Sequence, residues 1–169
     1  MISPAYVRTM AAYNSEMNRR LYTAASRIPD NARRAERGAF WGSLHGTLAH
    51  LVWADQYWMS RFDGWERPPA RITASAGMIE DFDTLSAERR RIDDGIEAWA
   101  IRVDEAWIAQ DLLWDSMAAR RQIRQQRGFL VTHFFNHQTH HRGQAHALLT
   151  ACGGATGDTD LVLVVEAPQ

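Results

Sequence analysis

In four separate stretches the chain repeats its apolar side chains at alternating intervals of three and four residues, and a period of that kind sustained over several turns marks the face of an amphipathic helix. The first stretch carries Val7, Met10, Met17, Leu21, Ala24 and Ile28, with Asn14 on the same stripe. Ser3-Pro4 before it reads as an N-cap followed by proline in the first helical position, and Pro29-Asp30 ends it. The second carries Leu44, Leu48, Leu51, Asp55, Trp58 and Phe62, with Ser43 as a cap just inside its start. The third runs without a break through Met78, Phe82, Leu85, Arg89, Ile92, Ile96, Trp99 and Val103. The fourth places Leu130, Phe134, His137, His141, Ala145, Leu148 and Cys152 on one stripe before Gly153-Gly154 stops it. The expected helices are residues 3 to 28, 40 to 63, 78 to 108 and 127 to 152.

Four such helices in a chain of 169 residues predict an all-α protein, a four-helix bundle forming one domain over residues 1 to 169. A chain of this length buries roughly 70% of its extended surface, enough for a real core. Asp63-Gly64 and Pro68-Pro69 predict a linker to about Gly77 in place of a tight hairpin. Within the irregular residues 109 to 127, Leu112 to Met117 reads as a short extended excursion, and the β-branched run Leu161 to Val165 as a segment lying extended against the bundle.

Composition removes several classes of function. The net charge is −1, with no basic excess of the sort nucleic-acid binding needs. All 19 basic residues are Arg, so Schiff-base lysine chemistry and P-loop phosphate binding are excluded. The single cysteine, Cys152, allows neither an intrachain disulfide nor a Cys-based zinc finger, and it reads as a small apolar filler about three turns, ~16 Å, beyond His141. With no apolar stretch long enough for a signal peptide or membrane span, the expectation is a cytoplasmic protein that binds neither nucleic acid nor membrane.

The 7 histidines are unevenly placed, with five between His133 and His146. His137 and His141 stand one turn apart on one helical face, about 5 to 6 Å between β-carbons, and both occupy the stripe that faces the core. Two interior imidazoles need partners, since an unpaired buried polar group costs about 1 to 3 kcal/mol. A divalent cation would satisfy both. His50, within Leu48-Ala49-His50-Leu51-Val52, is the candidate third ligand from a facing helix; its small neighbours Gly46, Thr47 and Ala54 leave space for an ion and a substrate. Three histidines without a fourth protein ligand resemble a catalytic metal site with an open position, zinc or nickel being favoured by all-imidazole ligation. His133 lies off the stripe and reads as outer shell or surface, and His140 turns to a flank.

The segment Asn136-His137-Gln138-Thr139-His140-His141-Arg142-Gly143-Gln144, together with Leu48-Ala49-His50 through Trp58, resembles the signatures of the DinB/YfiT-like superfamily. The resemblance implies a four-helix bundle, often a homodimer, holding one divalent metal through a histidine of the second helix and the two outer histidines of the fourth. Carried over, those are His50, His137 and His141, the same three that register selects. Relatives of this kind include thiol-dependent transferases that use mycothiol or bacillithiol, a maleylpyruvate isomerase and hydrolases. The resemblance thus implies a metal-dependent transferase of the low-molecular-weight thiol type, or a hydrolase, acting on a small thiol or other small substrate. The alternative is a non-catalytic dimeric scaffold or sensor, with the metal closed off by a fourth ligand from His133, His140 or Asp55.

Other residues keep two readings at this stage. Asn14 and Gln144 either line the pocket or are interior amides paired with backbone or water. Asp55 either orients an imidazole or pairs with one of the arginines. Arg89, Arg90 and Arg91 read as a solvated face, with Arg89 the one able to hold an anionic substrate, and Trp53, Trp58, Trp99 and Trp107 as core or dimer contacts.

Overall fold

A computed structural model describes residues 2–116 and 119–165; Met1, Met117, Ala118 and residues 166–169, which include the ends of the expected domain, lie outside it. The protein is mostly helical, with four long helices, three short ones and one two-stranded antiparallel sheet among the described residues. The long helices are α1 (Pro4–Ala25), α3 (Leu44–Phe62), α4 (Phe82–Arg102) and α6 (Arg127–Ala151). α1 packs on α4 and α6, and α3 packs on the same two, so a single core of side chains including Leu48, Val52, Leu85, Ile92, Phe134 and Leu149 is shared by all four. No helix is long and apolar enough to cross a membrane among the described residues.

The caps read from sequence are in place. Ser3 Oγ accepts from the Tyr6 amide at 3.2 Å with Pro4 in the first turn, and Ser43 Oγ accepts from the Gly46 amide at 3.0 Å. The differences lie at the ends of helices, where tertiary partners intervene. α1 stops at Ala25 because Arg33, from the short α2 (Asp30–Arg34), donates to the Ala25 and Ile28 carbonyls at 3.0 and 2.6 Å and satisfies that terminus. α3 begins at Leu44 and not near Phe40, since Gly42 takes a positive φ of 77° in a tight turn and Ala39 bridges to it. The expected third helix, 78 to 108, is two elements: Asp81 caps α4 through Thr84, and Asp104 caps a new helix, α5 (Glu105–Ala109), by accepting from the Trp107 amide at 2.7 Å. The uninterrupted hydrophobic period hid that break.

The extended excursion is present as β1 (Asp111–Ser116), and Met117 lies outside the described residues. β1 pairs in antiparallel register with β2 (Arg121–Gln126), with Trp114 opposite Ile123. The run from Leu161 forms a single helical turn, α7 (Leu161–Val164), and is not extended; Leu161, Val162 and Leu163 are exposed. Nor is 63 to 77 a free spacer. Trp53 Nε1 donates to the Ala70 carbonyl at 2.8 Å and Gln56 Nε2 to that of Glu66 at 3.1 Å, so the segment lies along α3 and ends in a 3-10 turn, Ile72–Gly77, packed on that helix.

A buried polar network joins the four long helices. Arg89 is no solvated arginine: it is 2% exposed and lies between Asp55 of α3, at 2.6 Å, and Asp93 of its own helix, at 2.8 Å. Asp55 therefore takes the arginine-paired alternative. Asp93 accepts from Asn18 at 2.9 Å and Asn14 at 3.4 Å, both of α1, and Asn14 Oδ1 in turn accepts from Arg142 of α6. Asn14 is thus an interior amide of this network.

Burial pushes the Asp93 carboxyl up from 3.8 to about 7, against the opposing pull of Arg89 and Asn18. Between those two values the folded state holds a proton that the unfolded state has released, so this group's contribution to stability falls as pH rises through the window and is level above about 7. Asp93→Asn mimics the protonated form. Urea denaturation over a pH series is expected to show wild type losing stability relative to Asp93→Asn as pH rises from 4 to 7; a constant difference between the two would show that Asp93 ionises normally.

Candidate metal centre

α3 and α6 meet where the histidines lie, and each helix presents its share for a local reason. His137 and His141 are on the same face of α6, and Phe134 and Ala145, on the same stripe a turn to either side of the pair, are buried in the core. His50 is 1% exposed, in the middle of α3 among Leu48, Ala49, Leu51 and Val52. The His50 ring centroid is 5.6 Å from that of His137 and 4.7 Å from that of His141, and the two α6 rings are 4.4 Å apart. One ring nitrogen from each of the three lies within 4.8 Å of the others.

Protonation follows from what the other nitrogens touch. His141 Nδ1 is 2.7 Å from Gln144 Oε1, an acceptor only, so Nδ1 carries the hydrogen and Nε2 keeps its lone pair. His50 Nδ1 is 2.9 Å from the Ser75 hydroxyl, while His50 Nε2 is buried with no partner at all. His137 Nδ1 is likewise buried and unpartnered. Protonation would not rescue these atoms: burial, and then the neighbouring imidazoles, pull His50 and His137 down to about 3, and burial lowers His141 as well. Three neutral imidazoles converging between two helices, two of them with an orphaned nitrogen, fit a divalent cation such as zinc, whose preferred distance to nitrogen is about 2.0 to 2.1 Å.

The remaining candidates are placed as follows. Gln144 holds His141. His133 packs edge-on against Trp58, with its centroid 5.9 Å from His137, and His140 is exposed beside His141. Neither these two nor Asp55 belongs to the cluster of converging ligand atoms. Cys152 is half-buried at the end of α6, its Sγ 3.7 Å from the Ala32 carbonyl, which agrees with a packing role.

Ser75 and Trp41 were not found from sequence. Ser75 is fully buried and sits in the 3-10 turn, inside the small-residue run Thr73-Ala74-Ser75-Ala76-Gly77, which shows no period. Trp41 lies flat on His50, centroids 3.7 Å apart at 18°. Gly46 corrects the reading of empty space around His50: a Cβ there would run into the Trp41 carbonyl oxygen, so the absent side chain admits this tryptophan and not a ligand. Trp53, stacked 5.9 Å from the His50 ring, also borders the centre, whereas Trp99 is a core residue against Phe62 and Trp107.

The model of the DinB family matches residues 1–168. The chain belongs to the DinB family. No curated protein matches it. Within this DinB chain, the segments that suggested membership are those that build the centre, the Leu48 to Trp58 turns of α3 and the Asn136 to Gln144 turns of α6.

Ser75 is a positioning residue for His50, and its removal should be felt as weakened metal affinity. Ser75→Ala is expected to bind zinc about 10- to 100-fold more weakly than wild type in competition with a chromophoric chelator, the range for loss of a hydrogen bond to a ligand imidazole. Unchanged affinity would mean that the hydroxyl does not orient the ring.

Proposed function

We propose that this DinB chain is a four-helix bundle holding one divalent metal ion, zinc or nickel, on His50, His137 and His141, and that it works as a metal-dependent transferase of the low-molecular-weight thiol type or as a hydrolase. The observation that carries the reading is the His50 ring: 1% exposed, one nitrogen fixed by Ser75 and the other without any partner, opposite two more imidazoles. A bound ion of this kind supplies Lewis acidity, which brings the pKa of a thiol or a water toward neutrality. The chain's own residues do the positioning. Ser75 and Gln144 fix two of the three rings, and Trp41 covers one face of His50 and excludes water from it. Three protein ligands leave a position for a small substrate, and with His137 half-buried the centre is not sealed from the surface.

A non-catalytic scaffold has one observation in its favour, that the cluster ties α3 to α6 and so links two helices of the core. The two readings separate on cobalt-substituted protein. For the enzyme, a small thiol is expected to give a thiolate charge-transfer band, and metal removal to cost activity and only part of the stability. For the scaffold, no band appears and metal removal unfolds the protein. Elemental analysis of untagged protein should give one metal per chain, with the His137→Ala, His141→Ala double variant losing it; full stoichiometry in that variant would reject the ligand set.

The proposal includes a homodimer. Support comes from exposed apolar side chains toward the sheet end of the chain: Ile101 in the last turn of α4, Leu113 on β1 and Phe129 in the first turn of α6. Light scattering at micromolar protein should give twice the chain mass, and a single-chain mass would refute it.

A further inference from the structure

Apart from the histidine cluster, a cavity of about 140 Å³ lies between α1, α6 and the chain segment from Thr156 to Thr159. That segment is tied down over it: Tyr13 Oη donates to the Thr159 carbonyl at 2.6 Å, Arg20 to the Asp158 carbonyl at 3.0 Å, and Thr156 Oγ1 meets His146 Nε2 at 3.3 Å. One charged side chain lines the cavity, Arg142, only 7% exposed. Its guanidinium touches neutral groups alone: Asn14 Oδ1, Thr139 Oγ1 at 3.3 Å and the Tyr13 ring at 5.5 Å. The buried carboxylates, Asp55 and Asp93, are both in contact with Arg89, and no acidic side chain lines the cavity among the described residues. A guanidinium has five N–H donors, of which Asn14 and Thr139 take two.

We propose that this cavity is a binding site for a small oxyanion, a short-chain carboxylate or a phosphate, held by the Arg142 guanidinium and the hydroxyls of Thr139 and Thr156. A buried cation paired only to an amide and a hydroxyl has unused capacity for a charge-assisted contact, and a planar guanidinium matches carboxylate and phosphate oxygens in pairs. Met17 and Leu21 supply an apolar wall suited to the stem of a carboxylate. Arg142 follows His141 in the chain but is turned about 100° round α6 from it, so this site and the metal centre occupy different flanks of one helix.

The full-length protein is titrated with phosphate and, separately, with butyrate and succinate, at constant ionic strength in chloride, following heat and the Arg142 Nε–Hε resonance. Saturable binding that moves this resonance is expected, weakened about tenfold or more by Gly143→Leu and by Arg142→Gln. Gly143 lines the cavity, a Cβ there meets nothing within 4 Å, and leucine is the better helix former, so that variant fills the site with the fold intact even where Arg142→Gln disturbs the buried network. Binding of the carboxylates alone supports the site and identifies a carboxylic acid as its ligand; binding of phosphate alone supports it and points to a phosphate-bearing one. No saturable binding above the chloride background, or binding that Gly143→Leu leaves unchanged, overturns the proposal.

Discussion

The Arg89 guanidinium, enclosed between Asp55 and Asp93, is the contact on which the arrangement of the long helices depends. Apolar packing alone leaves helices free to slide or rotate at modest cost, because cores tolerate substitution of one hydrophobic contact for another. A buried charge does not allow that freedom. Removing one partner of a buried ion pair costs about 3 to 5 kcal/mol, and a one-turn slip of α3 against α4 would remove it as surely as a mutation. Asn14 and Asn18 extend the same constraint to α1, and Arg142 extends it to α6. With Arg142 pinned toward α1, the histidines one and five residues before it are turned to the other flank, where α3 lies. The network therefore turns the histidine cluster toward α3.

The centre is finished by irregular segments and not by the helices themselves. The turn before α3 lays Trp41 over His50, Gly46 makes the approach possible, and the linker folds back so that Ser75 reaches the same ring. These contacts remove water from imidazoles that have lost their hydrogen-bond partners, which is why burial dominates their lowered basicity. Neutral, desolvated and half-satisfied rings are in the state that a divalent cation requires of its ligands, since protonated imidazole cannot coordinate. Fold alone would not say as much, because one helical framework serves unrelated chemistries and only the groups in the site distinguish them.

The four long helices, the caps at Ser3 and Ser43, and the pairing of His137 and His141 on one face are legible in the sequence, because these depend on local rules: a 3.6-residue period, a side chain able to accept from the first turn, and a four-residue spacing; that His50 meets the pair depends on how α3 packs on α6. Packing sets where α1 ends, since its last carbonyls are capped by Arg33, and shows that the third helix breaks at Asp104, where an unbroken apolar stripe masks a cap. It alone decided that Arg89 is buried, that Gly46 serves Trp41, and that Ser75 belongs to the centre. An arginine on an apolar stripe reads the same whether it meets solvent or two aspartates, and a glycine reads as space whatever fills it. The partners that settle such residues are distant in the chain, 34 residues from Arg89 to Asp55 and 25 from Ser75 to His50, and no periodicity encodes a contact that forms only when the helices have packed.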